Sequence, residues 1–220
     1  NVYSCITKNL ILSNSIEDAE TAKVIENIQR DLNIALMNDI FIFCKKMNYN
    51  YNNIIKLAST KWNFLKFDAG LVGGHCLPVD PYYLSYVAKK NKISLDTVLA
   101  GRKVNAKLKD YIFQEVKKLI LRIKKNKKPF KVLISGITYK KNVADLRNSL
   151  SIKVFQSLKK KFHKLNCYDP LIDKIHKKKY LLIDKRNIKN FDVYIVLTKH
   201  DSIKKLIRSL KNKKIIDVFS

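Results

Sequence analysis

The stretch KVLISG at 131–136 changes the period of the chain. Before it, apolar residues recur at three- and four-residue spacing. Here three run together and the run stops at a glycine, the pattern of a short buried strand. Outward from it toward the C-terminus come a helical pattern over about 149–161, KLNCYD at 164–169, an irregular piece, DVYIVL at 192–197, a helix over 201–210 and KIIDVF at 214–219. Strands alternating with helices imply an α/β unit, a parallel sheet with helices on both faces.

Outward toward the N-terminus the chain reads as all-helical. Residues 15–47 form one long helix, opened by the capping-box pair Ser15 and Asp18. Its apolar stripe is Ala22, Ile25, Ile28, Leu32, Ala35, Leu36, Ile40 and Phe43. Asn48 to Asn53 is polar and turn-like, and a short helix covers 54–59. Residues 61–81 hold three of the five glycines and two of the four prolines, a loop with special backbone demands. Helices follow over 82–90 and about 95–124, and KKNKKP at 124–129 reads as a linker.

With 220 residues, the chain is long enough for one large or two small domains. No run approaches the roughly 18–20 apolar residues of a membrane span, and no charged and apolar leader opens it. The first residue is not Met, so an N-terminal part is expected to be missing. Lys and Arg total 45 against 18 Asp and Glu, a formal charge of +27. A nucleic-acid partner is one explanation. The excess, however, is 39 lysines to 6 arginines, and Arg is the preferred fork for phosphate and base edges. Drift of surface positions toward Lys and Asn explains it better, so no nucleic-acid partner is expected. The four cysteines show no C-x-x-C pair, which fits a reducing cytoplasm. The dispersed His75, His163, His176 and His200 signal no metal cluster.

None of the five glycines forms the G-x-G-x-x-G loop that lets a dinucleotide pyrophosphate approach backbone. Lys140 and Arg147, after the first strand, are candidate phosphate partners, and a solvated surface is the alternative for each. The densest signal is GLVGGHCLPVDPYYL at 70–84. Gly73 and Gly74 let backbone approach a ligand closely, Cys76 supplies a thiol, and Asp80 a nearby carboxylate. Together they suggest covalent catalysis on a carbonyl. Cys5, Cys44 and Cys167 read as small buried hydrophobes, and His75 as a loop or packing residue rather than a general base. On the long helix Lys23 and Asn27 are i and i+4 and share a face. They could hold an oxyanion, although spacing alone favours a solvated surface.

GLVGGHCLPVDPYYL, with AETAKVIENIQRDLNIALMND before it and GITYKKNVADLRNS after it, resembles the UDP-glucose/GDP-mannose dehydrogenase family. ASTKWNFL at 58–65 and VLAGRKVN at 98–105 resemble its UDP-N-acetylhexosamine 6-dehydrogenase branch, the Vi-antigen type included. The resemblance implies oxidation of a sugar C6 hydroxyl to the acid, with two NAD consumed. It places the cysteine nucleophile on Cys76, the water-activating aspartate on Asp80, and the helix lysine and asparagine on Lys23 and Asn27. Gly73 then lies in the loop approaching the sugar, Lys140 reaches the substrate, and Arg147 meets the cofactor.

The resemblance further implies three parts: an N-terminal Rossmann domain for NAD, a helical middle domain that dimerises, and a Rossmann-like UDP-binding domain. Here the first is expected to be absent. Residues 1–16 read as its tail, 17–106 as the helical central domain with the cysteine loop, 107–128 as connecting helix and linker, and 129–220 as the UDP-binding domain. A homodimer through the central helices, NAD held mainly by the missing domain, a cytoplasmic location and no metal complete the expectation. Three positions depart from the pattern. Val79 stands where the UDP-glucose branch has lysine. Asp68-Ala69 replaces a frequent basic-Pro pair. Lys141 replaces a frequent acidic residue.

Overall fold

The computed structural model describes residues 2–124, 130–162, 164–172, 180–210 and 213–219. Most of the expected linker, 125–129, together with His163 and His176, lies outside the described residues.

Helix α1 spans Ile16–Lys46. Ser15 caps it, its Oγ accepting the Asp18 N–H at 3.0 Å and satisfying one orphan donor of the first turn. Glu17 and Asp18 at the start and Lys45 and Lys46 at the end complement the helix dipole. The buried face is Asn27, Ile28, Asp31, Ala35, Met37, Asn38, Phe41 and Cys44. This corrects the expected stripe, because Ile25, Leu36 and Phe43 are exposed. Three of these eight, Asn27, Asp31 and Asn38, are polar, so the apolar spacing selected a different face.

Helix α2 is Tyr51–Ala58, starting earlier than the polar run 48–53 suggests. The Asn50 side chain caps it by accepting the Asn53 N–H, and the Tyr51 ring packs edge-on against Phe41 at 5.4 Å. Helix α3 is Asp80–Lys90 and also starts early. Pro81 suits a first turn, where no intrahelical donor is needed. Helix α4 is Asp96–Lys124. Its Gly101 packs tightly on α1, since an added Cβ would meet Leu32 Cδ2 at 2.5 Å.

The second half is the expected α/β unit. Strand β1 is Val132–Ser135, followed by helix α5 at Leu150–Lys161 and β2 at Leu165–Tyr168. A short 3-10 helix at Lys185–Asn190 leads to β3 at Val193–Val196, helix α6 at Asp201–Ser209 and β4 at Lys214–Asp217. The sheet order is β2-β1-β3-β4 and every pairing is parallel, with Val132 opposite Leu165 and Val193. β1 and β3 are buried along their whole length, as central parallel strands are.

The two faces of the sheet pack differently. Val132, Ile134, Val193 and Ile195 share a cluster with Val154, Phe155 and Leu158 of α5, Leu108, Ile112, Val116 and Ile120 of α4, and Met37 and Phe41 of α1. Leu133, Tyr194 and Val196 pack on the other side with Ile203 and Leu206 of α6. Cys44 and Cys167 are buried as expected, and burial pushes the Cys167 thiol up to about 12. Cys5 is exposed, because the N-terminal 3-10 turn that carries it buries nothing. Among the described residues, no helix is long and apolar enough to cross a membrane.

Candidate functional site

A cleft of about 400 Å³ opens between α1, the loop 68–77 and the segment following β1. Its walls are Lys23, Asn27, Arg30 and Ile34 from α1, Asp68 and residues 70–77 from the loop, and Tyr139 and Lys140 from beyond β1. The volume suits a small molecule. The location suits one too, since open parallel sheets bind ligands beyond the carboxyl ends of their strands, where the strand order reverses.

The loop is held from behind by a ladder of buried polar side chains that the sequence reading did not single out. The Asn38 amide accepts the Gly70 N–H at 2.8 Å and donates to the Gly70 carbonyl at 3.1 Å. It also donates to Asn105 Oδ1 at 2.8 Å. Asn105 in turn donates to Asp31 Oδ1 at 2.7 Å, and Arg102 Nε lies 2.8 Å from Asp31 Oδ2. The Arg102–Asp31 contact is off-line for a hydrogen bond and acts as an ion pair. Arg102 Nη1 reaches the Leu77 carbonyl at 3.4 Å. Burial pushes the Asp31 carboxyl up, against the pull of Arg102 and Asn105. One network thus grips both ends of the glycine–cysteine loop.

The front of the loop is set by its glycines. Gly74 has φ +89, the left-handed region that glycine enters freely, and its carbonyl accepts Asn148 Nδ2 at 3.1 Å. A Cβ on Gly73 would meet Asn148 O at 2.7 Å and Tyr139 Cβ at 2.8 Å. The close approach that the glycine pair permits is therefore to the C-terminal half of the chain, with Gly73 still lining the cleft.

The structure brings five of the seven candidate residues into the cleft wall: Cys76, Lys23, Asn27, Gly73 and Lys140. Cys76 is exposed, and its carbonyl accepts the Val79 and Asp80 N–H groups at 2.9 and 2.8 Å, so it stands at the turn that starts α3. Asp80 joins the group through Asn27, whose Nδ2 donates to Asp80 Oδ2 at 2.6 Å. Lys23 is 66% exposed, its Nζ 2.5 Å from Glu26 Oε2. That lysine, and then Arg30, hold the Glu26 carboxyl below its usual range. Lys140 is exposed at the wall facing α1.

Arg147 is 69% exposed and not part of the cleft wall. It grips Asp145 with two nitrogens, Nε at 3.0 Å and Nη2 at 2.7 Å from Oδ2. Arg147 thereby lowers the Asp145 carboxyl, and its own guanidinium is raised. His75 Nε2 lies 3.9 Å from the same Oδ2, which makes His75 a loop contact.

Among the described residues, the segment after β1 forms no glycine-rich pyrophosphate loop. The turn after β1 is closed, because a Cβ at Gly136 (φ +79) would fall on the Thr198 backbone. Gly136 serves the packing of two segments of this domain, not access for a ligand.

The chain belongs to the UDP-glucose/GDP-mannose dehydrogenase family. Residues 17–107 match the family's central domain and 133–220 its UDP binding domain. It is 40% identical over 204 residues to protein CapL of Staphylococcus aureus, covering 91% of this chain and 48% of that one. It is 38% identical over 195 residues to the UDP-N-acetyl-D-glucosamine 6-dehydrogenase of Salmonella typhi, covering 87% and 46%. Among solved structures, it is similar to the UDP-N-acetyl-mannosamine dehydrogenase Cap5O from S. aureus, with a TM-score of 0.79 and 28% identity over 99% of this chain and 51% of that one. The chain spans about half the length of the curated relatives it matches.

Proposed function

We propose that this chain is the catalytic and UDP-binding portion of an NAD-dependent dehydrogenase. It oxidises the C6 hydroxyl of a UDP-N-acetylhexosamine to the uronic acid, for polysaccharide precursor synthesis in the cytoplasm. The observation that carries this is the convergence on one cleft of Cys76, Lys23, Asn27, Gly73 and Lys140, with Asp80 tied in through Asn27.

Two equivalents of NAD, held mainly outside the two matched domains with Arg147 as the residue that would meet the cofactor here, would supply the hydride acceptance that takes the alcohol through the aldehyde to the acid oxidation level. The chain's own residues do the rest. The Cys76 thiolate adds to the aldehyde carbon, forming the C–S bond of a thiohemiacetal. Lys23, released from Glu26, faces the developing oxyanion. Once the thioester exists, Asp80, held by Asn27, takes a proton from the attacking water and the thiol leaves. Lys140 meets the negative charge of the nucleotide sugar. Homodimerisation through the central helices accounts for the exposed apolar residues Ile25, Leu36 and Phe43 of α1 and Tyr82, Tyr83, Tyr86 and Val87 of α3.

The test is incubation of this chain, joined to an N-terminal NAD-binding domain of a relative, with UDP-N-acetylglucosamine, UDP-N-acetylgalactosamine and UDP-N-acetylmannosamine plus NAD, following NADH and the acid product. The expected ratio is two NADH per acid, abolished in Cys76→Ser. Undiminished turnover in that variant overturns the assignment. A second reading, a UDP-sugar-binding or dimerisation module, rests on the match of residues 133–220 to the family's UDP binding domain. Binding of a UDP-sugar without turnover is its signature.

A further inference from the structure

Resting on the reading of Lys140 as a substrate contact, we infer that His200 is a positioning residue for nucleotide-sugar binding. One imidazole holds both ends of the segment 138–142 that presents Lys140 to the cleft.

His200 is fully buried, 0% exposed, at the N-terminus of α6. Its Nδ1 accepts the Asn142 backbone N–H at 2.9 Å. That nitrogen is therefore bare and the ring proton sits on Nε2. Nε2 lies 3.0 Å from Thr138 Oγ1 and 3.2 Å from Asp169 Oδ2. The Thr138 hydroxyl spends its own hydrogen on the Lys140 carbonyl at 3.1 Å, so toward the imidazole it acts as acceptor. Asp169 Oδ2 also accepts the Ile137 and Thr138 N–H groups at 2.7 and 3.2 Å. Every polar atom of the ring is thus used on the segment that flanks Lys140 or on the carboxylate that anchors it.

The same device separates two adjacent lysines. Asn142 adopts φ +59. Its side chain donates to Asp201 Oδ2 at 2.6 Å and accepts the Asp201 N–H at 3.1 Å. Lys141 is drawn outward to Asp201 Oδ1 at 2.8 Å. Lys140, one residue earlier, lines the cleft. Loss of the imidazole leaves the Asn142 N–H without its acceptor and the Thr138 hydroxyl with only the Lys140 carbonyl, and the segment loses its reason to keep Lys140 where it is.

The experiment is a double-mutant cycle read by isothermal titration of the whole chain with UDP and with UDP-N-acetylglucosamine. It is run where circular dichroism shows every variant folded. His200→Gln keeps an N–H near Nε2 but removes the Nδ1 acceptor. His200→Asn keeps an acceptor near Nδ1 but removes the Nε2 donor. Each is expected to weaken binding about 10-fold, the worth of one charge-assisted contact. In the Lys140→Ala background, each should add no further loss, because His200 acts through Lys140. Equal losses with and without Lys140, or unchanged affinity in both His200 variants, overturn the inference while leaving the proposed function standing. Failure of the unsubstituted chain to bind either probe overturns both. Should the His200 variants not fold, Thr138→Val removes the hydroxyl relay and leaves the ring in place, with the same expectations.

Discussion

Asn27 Nδ2 stands 2.6 Å from Asp80 Oδ2, joining the inner face of α1 to the first residue of α3 across 53 positions of sequence. The bond fixes a carboxylate one turn beyond the cysteine that the proposed chemistry makes a nucleophile. Replacing Asn27 with Ala removes the donor and leaves the carboxylate without it. The expected cost is about 1.5–3 kcal/mol in urea unfolding, typical of a hydrogen bond to a charged group. Acid formation should fall more than substrate affinity. Asn27→Asp, which sets two carboxylates face to face, should be the worse of the two. Equal stability of Asn27→Ala and the unsubstituted protein would show the bond to be ornamental.

Gly70 and Gly73 separate conformational freedom from close packing. A Cβ at Gly70 meets nothing within 4 Å, whereas at Gly73 it meets Asn148 O at 2.7 Å and Tyr139 Cβ at 2.8 Å. Gly73→Ala is expected to cost about 1–3 kcal/mol as an overpacking change, together with loss of UDP-N-acetylglucosamine binding. Gly70→Ala should stay within about 0.5 kcal/mol. Thermal melts of the two variants side by side check the contrast, and equal melting temperatures contradict it.

The buried pair Asp31–Arg102 is expected to behave as a unit. Arg102→Met strands the carboxylate among buried side chains, and such single breaks cost about 3–5 kcal/mol. Asp31→Asn combined with Arg102→Met should recover most of the loss, since no buried charge remains. A double variant as unstable as Arg102→Met alone would mean that packing, not charge, governs this position.

Lys141, and then Asn142, hold the Asp201 carboxyl down to about 2. Its folded value lies below the ordinary 3.8. Its contribution to stability is therefore present above about pH 3.8 and is lost as pH falls through about 2. Carboxyl NMR should place its midpoint there, and Lys141→Ala should move that midpoint up. A midpoint insensitive to Lys141 would contradict the pairing.

Much of this architecture is legible from residue order. KVLISG and DVYIVL mark the two central strands because parallel strands buried on both faces read as unbroken apolar runs. Cys76 is conspicuous because glycine and proline crowd around it. The ladder Asn38–Asn105–Asp31–Arg102 is not legible in that way. Polar residues at helical spacing normally mark a wet face, and only the packing of α1 on α4 reveals that these face inward. The line Asn27, Asp31, Asn38, with its steps of four and seven residues, was the available signal. His200 was hidden for a related reason: its ring meets one backbone N–H, one hydroxyl and the carboxylate of Asp169, all far away in sequence, which leave no trace in spacing.

Helix α4 has 29 residues and is about 43 Å long at the α-helical rise. Its Gly101 lies against Leu32 of α1, while Leu108, Ile112, Val116 and Ile120 share one interior with the sheet and with Phe41. The boundary between the two matched domains is therefore a boundary in sequence and not in cohesion. Heat should meet a single melting unit. A ligand that grips only the sheet half will raise the temperature at which helices α1 to α3 come apart, because both draw on the same reservoir of buried surface.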